Sequence, residues 1–132
     1  VRTIATDHAP HAVEEKESEF DVAPPGTIGL ETALAAAFTH LVLPGIVPLR
    51  RVIEAMSFTS ARILGAPGHG GPIESGRPAN LVVFDPAESW TVEPPFASKA
   101  RNSAFIGRQL TGRVRHTMLR GSLTVADGKV GR

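Results

Sequence analysis

The sequence predicts an α/β chain in which a strand and two helices precede a small sheet. The first observation is the β-branched run over 1–6, which breaks into Asp-His-Ala-Pro-His. The second is the recurrence of apolar residues at steps of three and four between 28 and 42, the period of one helix face. The third is a change after Gly65, where Gly and Pro punctuate short apolar runs. Helical and strand segments are therefore segregated along the chain.

The composition limits the classes of function. The chain has 132 residues, of which 42% are hydrophobic, so it is one ordinary domain at most. It has no Cys, which excludes thiol nucleophiles and leaves His, Asp or Glu to hold any metal. No apolar run approaches the ~20 residues of a membrane span, and the start does not resemble a signal peptide. The missing initiator Met suggests a fragment, and the compartment is left open with a lean toward the cytoplasm.

Charge is uneven, with an acidic first third and a basic last third. A basic tail favours nucleic-acid binding. Aromatic residues make up only 5% of the chain and Tyr is absent, so the base-stacking platforms of a single-strand binder are scarce. We expect a solvated basic face, with no nucleic acid and no membrane as partner.

The first strand, over 1–6, ends in a loop, so the polar residues lie at its C-terminal end. The segment from 12 to 29 is charged and then rich in Pro and Gly, which predicts a mobile surface loop. These polar residues are therefore the first candidates for a site.

Two helices follow this loop. The first spans 28–42 and ends at Pro44-Gly45. The second begins near Pro48, because Pro is tolerated in a first turn. Residues 57–59 interrupt it, and a short helical turn then ends at a cap on Gly65.

The last part of the chain predicts strands. Residues 81–84 form a buried strand that Asp85-Pro86 closes, and 113–119 pair with 122–125 in a hairpin around Arg120-Gly121. One strand, two helices and a small sheet do not make a closed core. The apolar helix faces therefore need other polypeptide to cover them.

The densest polar cluster is Thr6 to His11. In parallel α/β barrels, catalytic groups lie at C-terminal strand ends, where the loops converge. Asp7 in such a place can bind a metal through one oxygen and exchange a proton through the other, while His11 can donate a hydrogen bond to an anionic substrate. From spacing alone the alternative stays open that Asp7 caps a turn and both histidines are surface residues, because Asp-His-x-x-His fits no common zinc helix motif.

Several blocks of the chain resemble dihydroorotases of the class I type, and the resemblance covers essentially the whole chain. The blocks are Thr6–His11 with Glu14–Lys16, Ala23–Gly26, Gly29–Ala33, Ser60–Gly65, Gly76–Pro86 and Ser98–Gly107. Other amidohydrolases, including dihydropyrimidinases and allantoinases, share the later blocks. The second histidine of the first block, His11, favours dihydroorotase.

The resemblance implies a fold. It is the C-terminal part of a metal-dependent (β/α)8 barrel together with the C-terminal part of a small β-sandwich. Residues 1–70 are then the end of the barrel, with strand eight, an active-site loop and helices, and residues 71–132 are the sandwich segment. A barrel alone needs ~250 residues, so the chain is expected to be incomplete, poorly soluble and inactive alone.

The resemblance also implies an activity, the reversible zinc-dependent cyclisation of N-carbamoyl-L-aspartate to L-dihydroorotate in pyrimidine biosynthesis. Asp7 matches the aspartate that ligates zinc and exchanges a proton with the amide nitrogen. His11 matches the histidine that binds the substrate carboxylate. Pro25 and Gly26 fall where backbone groups contact the pyrimidine ring, although Pro25 replaces a common Phe and has no N–H to donate. His8 is expected either to support Asp7 or to be structural.

The implied cofactor is zinc, with two ions whose other ligands are mostly absent from this chain. The implied partners are a small-molecule substrate, a homodimer mate and aspartate transcarbamoylase, in the cytoplasm. Three alternatives stay open. They are another cyclic amidase such as a dihydropyrimidinase or allantoinase, a non-catalytic dihydroorotase-like scaffold subunit, and a freestanding binding module built on the β segment.

Overall fold

The computed structural model describes residues 2–131. The helices are α1 (Val13–Lys16), α2 (Ala33–Ala37), α3 (Leu49–Ile53) and α4 (Thr59–Ile63), with π-helical turns at Phe38–Val42 and Glu54–Phe58. The strands are β1 (Leu81–Thr91), β2 (Gln109–Leu119), β3 (Ser122–Ala126) and β4 (Lys129–Val130). They form one antiparallel sheet in the order β1-β2-β3-β4. Within residues 2–131, every helix is too short or too polar to cross a bilayer.

The strand predicted over 1–6 is wrong for residues 2–6. Val1 lies outside the described residues. Residues 2–7 have no regular structure, and the Ile4 N–H donates to the Ala55 carbonyl at 3.1 Å. The nearest sheet-like contact is an isolated parallel bridge between His8 and Thr27. A strand needs neighbouring strands for its backbone groups, and the described residues supply only this bridge here.

The segment predicted as an irregular loop contains α1. Glu14 and Glu15 lie in its first turn, where carboxylates are favourable because the helix N-terminus carries partial positive charge. The rest of the segment is turns, and the Phe20 side chain is almost fully exposed. The charged part of the loop is therefore more regular than its composition indicated.

The first predicted helix begins late, at Ala33 and not at Ile28, and runs through its π-helical turn to Val42. Pro48 is the N-cap of α3, close to the predicted start, and Gly65 follows α4 with a φ of +61°. The predicted interruption at 57–59 is wrong. A π-helical turn absorbs the irregularity there, so α3 continues into α4 without a break.

The sheet confirms the predicted hairpin but departs from the prediction in β1, in the earlier start of β2 at Gln109 and in the additional strand β4. β1 runs through Asp85-Pro86, where the pairing with β2 shifts between Asp85 and Ser89. A bulge of this kind tolerates a proline. β1 is also largely half-exposed or exposed, so the predicted buried strand is wrong. The hairpin turn is confirmed at Arg120-Gly121, whose φ values of 51° and 85° are those of a type I′ turn.

The core joins the helices to the sheet. Ala35 of α2 packs with Val92 and Leu110, and the half-buried residues around them are Ala36, Trp90, Phe96 and Phe105. Gly112 of β2 has a φ of +90°, and a Cβ there would lie 3.1 Å from the Phe38 ring. The absence of a side chain at Gly112 thus lets the π-helical turn approach the sheet. The boundary between the barrel segment, 1–70, and the sandwich segment, 71–132, stays a prediction.

The helical part of the chain, residues 28–65, leaves large apolar side chains uncovered, as the sequence predicted. Leu30, Ile63 and Leu64 are 67%, 63% and 79% exposed. In contrast, Val52 of α3 is completely buried. The apolar surface of the helical part is therefore only partly used within the described residues.

Candidate active site

Asp7 lies on the exposed connection between the N-terminal segment and the His8–Thr27 bridge. Its φ is +44°, in the left-handed region that non-glycine residues rarely adopt and Asp tolerates better than most. Strained backbone of this kind concentrates at functional positions. Its exposure leaves the carboxylate accessible to a ligand or to another part of a larger protein.

The His8 ring binds the backbone that leads into α2. Its Nδ1 accepts hydrogen bonds from the N–H groups of Gly29 at 3.1 Å and Leu30 at 3.4 Å. A nitrogen that accepts cannot carry a proton, so the neutral ring has its hydrogen on Nε2. Of the two expectations for His8, these contacts favour the structural one.

His11 contacts two hydrogen-bond acceptors. Its Nε2 lies 3.1 Å from the Pro25 carbonyl oxygen, and its Nδ1 lies 3.4 Å from Glu15 Oε2. A carbonyl and a carboxylate only accept, so each of the two ring nitrogens makes its contact only when it carries a hydrogen. The side chain is 23% exposed. A ring N–H donor that is still accessible suits an anionic ligand.

Gly26 brings the segment before α2 against His11. Its φ is +126°, and a Cβ there would lie 2.6 Å from the Ala9 Cβ and 3.2 Å from His11 Nε2. A larger residue would have to push the two segments apart. The structure therefore brings together three of the predicted site residues, His11, Pro25 and Gly26.

Backbone carbonyls of the Pro-Gly turn are already engaged. Lys16 of α1 donates from Nζ to the Pro24 carbonyl at 2.8 Å and to the Gly26 carbonyl at 3.4 Å. With the Pro25 carbonyl bonded to His11, the turn is held from two sides. These contacts fix the shape of the turn.

Asn102 is the residue that the sequence analysis missed. Its Oδ1 accepts from the His11 N–H at 3.3 Å, while its Nδ2 donates to the carbonyls of Ala9 at 2.9 Å and Gly26 at 3.3 Å. It belongs to the block Ser98–Gly107, which resembled the family without suggesting a chemical role. Membership of that block was the one signal in the sequence, since 91 residues separate Asn102 from His11.

Two more side chains connect the blocks before α2 to the block around Asn102. Thr27 Oγ1 donates to the Asn102 carbonyl at 2.8 Å and accepts from the Ala104 N–H at 2.9 Å. The Glu31 carboxylate accepts from the N–H groups of Ala97 at 3.0 Å and Ser98 at 3.1 Å. Motifs far apart in the sequence are thus one connected unit.

Asp7 is the candidate metal ligand of this site. Among residues 2–131, no three or more His, Cys, Asp or Glu side chains come close enough to hold a metal ion. Catalytic zinc sites normally use about three protein ligands. The described residues therefore do not complete a metal site, and Asp7 can supply one carboxylate to it.

Comparison with known proteins gives a consistent result. Residues 3–124 match the Amidohydrolase family. A dihydroorotase of Streptomyces coelicolor is 47% identical over 128 residues, and one of Mycobacterium leprae is 45% identical over 127 residues. Each alignment covers 96% of this chain and 30% of the relative. The chain therefore spans about 30% of the length of these curated relatives.

Solved structures resemble the fold along its whole length. An L-hydantoinase (dihydropyrimidinase) of Arthrobacter aurescens matches with a TM-score of 0.86 and 31% identity, over 100% of this chain and 30% of that one. A D-hydantoinase (dihydropyrimidinase) of a Thermus species matches with a TM-score of 0.83 and 28% identity, over 99% and 30%. The curated relatives and the solved structures thus carry the names of two different enzymes.

Proposed function

The chain belongs to the amidohydrolase family, and we propose that the protein containing it is a dihydroorotase, which interconverts N-carbamoyl-L-aspartate and L-dihydroorotate. One observation carries the proposal. An exposed carboxylate, Asp7, and an imidazole that can donate hydrogen bonds, His11, lie on one connection, and His11 contacts the turn at Pro25-Gly26. The substrate needs both groups, because it has an amide to cleave and a carboxylate to bind. The identity of 47% to a dihydroorotase supports this over the 31% to a hydantoinase.

We further propose the architecture that the family resemblance implies. Residues 1–70 would be the end of a (β/α)8 barrel, and 71–132 would be part of a β-sandwich. The uncovered side chains of Leu30, Ile63 and Leu64 support this, because polypeptide outside this segment would bury them.

In this mechanism Asp7 handles the proton. In the hydrolytic direction its carboxylate takes a proton from the attacking water and passes it to the ring nitrogen as the C–N bond breaks; in the biosynthetic direction the proton moves the other way. Membership of the family implies a metal cofactor. We propose zinc, as two ions, which when bound polarises the amide carbonyl and makes water more acidic. Asp7 would contribute one ligand to it.

His11 would bind the substrate carboxylate through a charge-assisted hydrogen bond. Its ring nitrogens contact Pro25 and Glu15, so the substrate must replace one of these acceptors. The Glu15 contact, at 3.4 Å on a side chain that is 57% exposed, is the weaker one. We therefore propose that the substrate carboxylate takes the Nδ1 position. For the pyrimidine ring of the substrate, the Gly26 N–H remains the available backbone donor of this turn, because Pro25 has no N–H.

The decisive experiment measures turnover of L-dihydroorotate and N-carbamoyl-L-aspartate by the full-length protein and its Asp7→Asn variant. We expect Asp7→Asn to lower kcat by roughly 10³-fold or more, because it removes the proton-accepting group. Asp127→Asn is the matched control, since Asp127 is also an exposed Asp at positive φ, 49°. It should leave kcat unchanged. Full activity in Asp7→Asn would contradict the proposed role.

A second candidate is a dihydropyrimidinase or hydantoinase, which the solved structures favour. Dihydrouracil lacks the carboxylate of dihydroorotate, so the two candidates differ in what His11 must bind. Under the main proposal His11→Ala raises KM for dihydroorotate by about tenfold or more, the loss expected for a hydrogen bond to a charged group. An unchanged KM, with turnover of dihydrouracil, would favour the second candidate.

The proposed partners are tested separately. If the full-length protein is a non-catalytic scaffold subunit, it should contain no bound metal and show no turnover. Metal analysis of the full-length protein therefore tests this alternative. A homodimer and a complex with aspartate transcarbamoylase are further proposals from the family, as is a cytoplasmic location. Size-exclusion chromatography of the full-length protein, alone and with the transcarbamoylase, tests the first two.

A further inference from the structure

Asn102 connects the two loops that carry the proposed substrate-binding residues. Its amide makes three polar contacts. Oδ1 accepts from the His11 N–H, and Nδ2 donates to the carbonyls of Ala9 and Gly26. A primary amide has two N–H donors and one acceptor oxygen, so both faces of the group are used.

The backbone of Asn102 holds the same place. Its carbonyl accepts from Thr27 Oγ1 at 2.8 Å and from the Ile28 N–H at 3.2 Å. The residue thus contacts Ala9 and His11 on one loop, and Gly26, Thr27 and Ile28 on the other. Together these contacts set the separation of the two loops at the point where His11 meets Pro25.

We propose that Asn102 is a positioning residue that holds His11 and the Pro25-Gly26 turn in the geometry that binds the substrate carboxylate. This inference rests on the proposed function. Asn102 acts through the backbone of His11, and none of these three side-chain contacts involves Asp7. Its loss should therefore weaken substrate binding much more than the chemical step.

An amide is required at this position. Aspartate has the same shape and keeps the acceptor for the His11 N–H, but it has no N–H for the carbonyls of Ala9 and Gly26 and places a negative charge beside them. Alanine removes all three contacts. Asn102→Asp and Asn102→Ala therefore test the donor function by two different routes.

The chain offers a matched control in Asn80. Its Nδ2 donates to the Gly68 carbonyl at 2.8 Å and its Oδ1 accepts from the Arg120 N–H at 2.8 Å. Asn80 also connects loops distant in sequence and is half-buried like Asn102. It belongs to the sheet end of the molecule and makes none of these contacts with His11 or Gly26.

The experiment compares these variants in the full-length enzyme with L-dihydroorotate as substrate. We expect Asn102→Ala and Asn102→Asp to raise KM about tenfold or more, while kcat changes less than about threefold. Asn80→Ala should lower Tm by about as much as Asn102→Ala does, but it should leave KM unchanged. An equal rise of KM in Asn80→Ala would mean that general destabilisation is the cause and would overturn the inference.

A double variant gives a readout that a merely structural role would not produce. If Asn102 acts through His11, then His11→Ala combined with Asn102→Ala should show a KM within about twofold of His11→Ala alone. If the KM of the double variant instead rises by the product of the two single-variant factors, the inference is overturned.

The failures of the two proposals are distinguishable. A wild type that turns over dihydroorotate, with KM unchanged in both Asn102 variants, overturns the inference and leaves the proposed function standing. A wild type that does not turn over dihydroorotate overturns the proposed function, and the positioning role with it.

Discussion

The candidate site and the sheet are held together in different ways. In the sheet, β2 and β3 pair through backbone hydrogen bonds across a two-residue turn, so each strand lies beside its near neighbour in sequence. At the site, irregular segments are joined by single side chains such as Asn102 and Thr27, over separations of 75 to 93 residues. A ladder distributes its stability over many bonds, whereas the site depends on a few. A single substitution should therefore lower the free energy of unfolding more at the site than in the hairpin.

The largest expected effect on stability comes from the core between α2 and the sheet. Leu110→Ala removes a completely buried side chain beside Ala35 and Val92, and should lower the free energy of unfolding by about 2–5 kcal/mol. Leu123→Ala, at a position 53% exposed on β3, should cost less than about 1 kcal/mol. Denaturant unfolding of the full-length protein measures both. Equal losses would mean that the hairpin end is as tightly packed as the junction with α2.

A pair of threonines tests the comparison directly. Thr27→Val leaves the Asn102 carbonyl and the Ala104 N–H without this partner, and should destabilise by about 1–3 kcal/mol. Thr124→Val on β3 removes one contact, from Oγ1 to the Thr117 carbonyl at 3.2 Å, and should cost about 1 kcal/mol or less. Differential scanning calorimetry should show the larger fall in Tm for Thr27→Val. The reverse order would refute the idea that the site depends on fewer bonds.

The smallest expected effect lies outside both regions and provides a baseline. Arg51 and Arg50 donate to the Glu54 carboxylate at 3.2 and 3.0 Å and lower the pKa of that group below its ordinary value. A carboxyl whose pKa is lowered by folding stabilises the folded state above its unfolded pKa, and that stability is lost as pH falls through the folded pKa. Glu54→Gln should therefore lower Tm slightly at neutral pH.

The pH dependence is the check on this ion pair. The difference in Tm between wild type and Glu54→Gln should shrink as the pH falls through the lowered pKa of Glu54. Arg50 is exposed, so added salt should also reduce the difference. A difference that persisted in acid would show that the effect comes from packing and not from charge.

Part of the site was predictable because it is local in the sequence. The run from Asp7 to His11 was identified as a candidate from its own residues. The turn at Pro25-Gly26 was identified as a candidate through the family resemblance, and the structure joins His11 to that turn. The contacts of His8 were not predictable, since they depend on backbone N–H groups 21 and 22 residues away. The roles of Asp7, His11, Pro25 and Gly26 in catalysis and binding remain predictions.

The fold divides in the same way. Pro48 near a helix start, Gly65 after a helix end and the turn at Arg120-Gly121 were predicted correctly, because φ preferences act within a few residues. The strand predicted over 1–6 is wrong for residues 2–6, the part of it that the structure describes, because a strand also needs a partner. The extent of β1 was underestimated for a related reason, since its pairing with β2 continues past the proline.

The sequence alone therefore determined the turns, the helix ends and the chemical types available for a site. Only the tertiary structure decided that Asn102, Thr27 and Glu31 connect the loops around His11. It also decided that residues 2–7 do not form a strand within the described residues. The physical reason is range. Backbone preferences depend on a residue and its neighbours, whereas hydrogen bonds across many tens of residues exist only after the chain has packed.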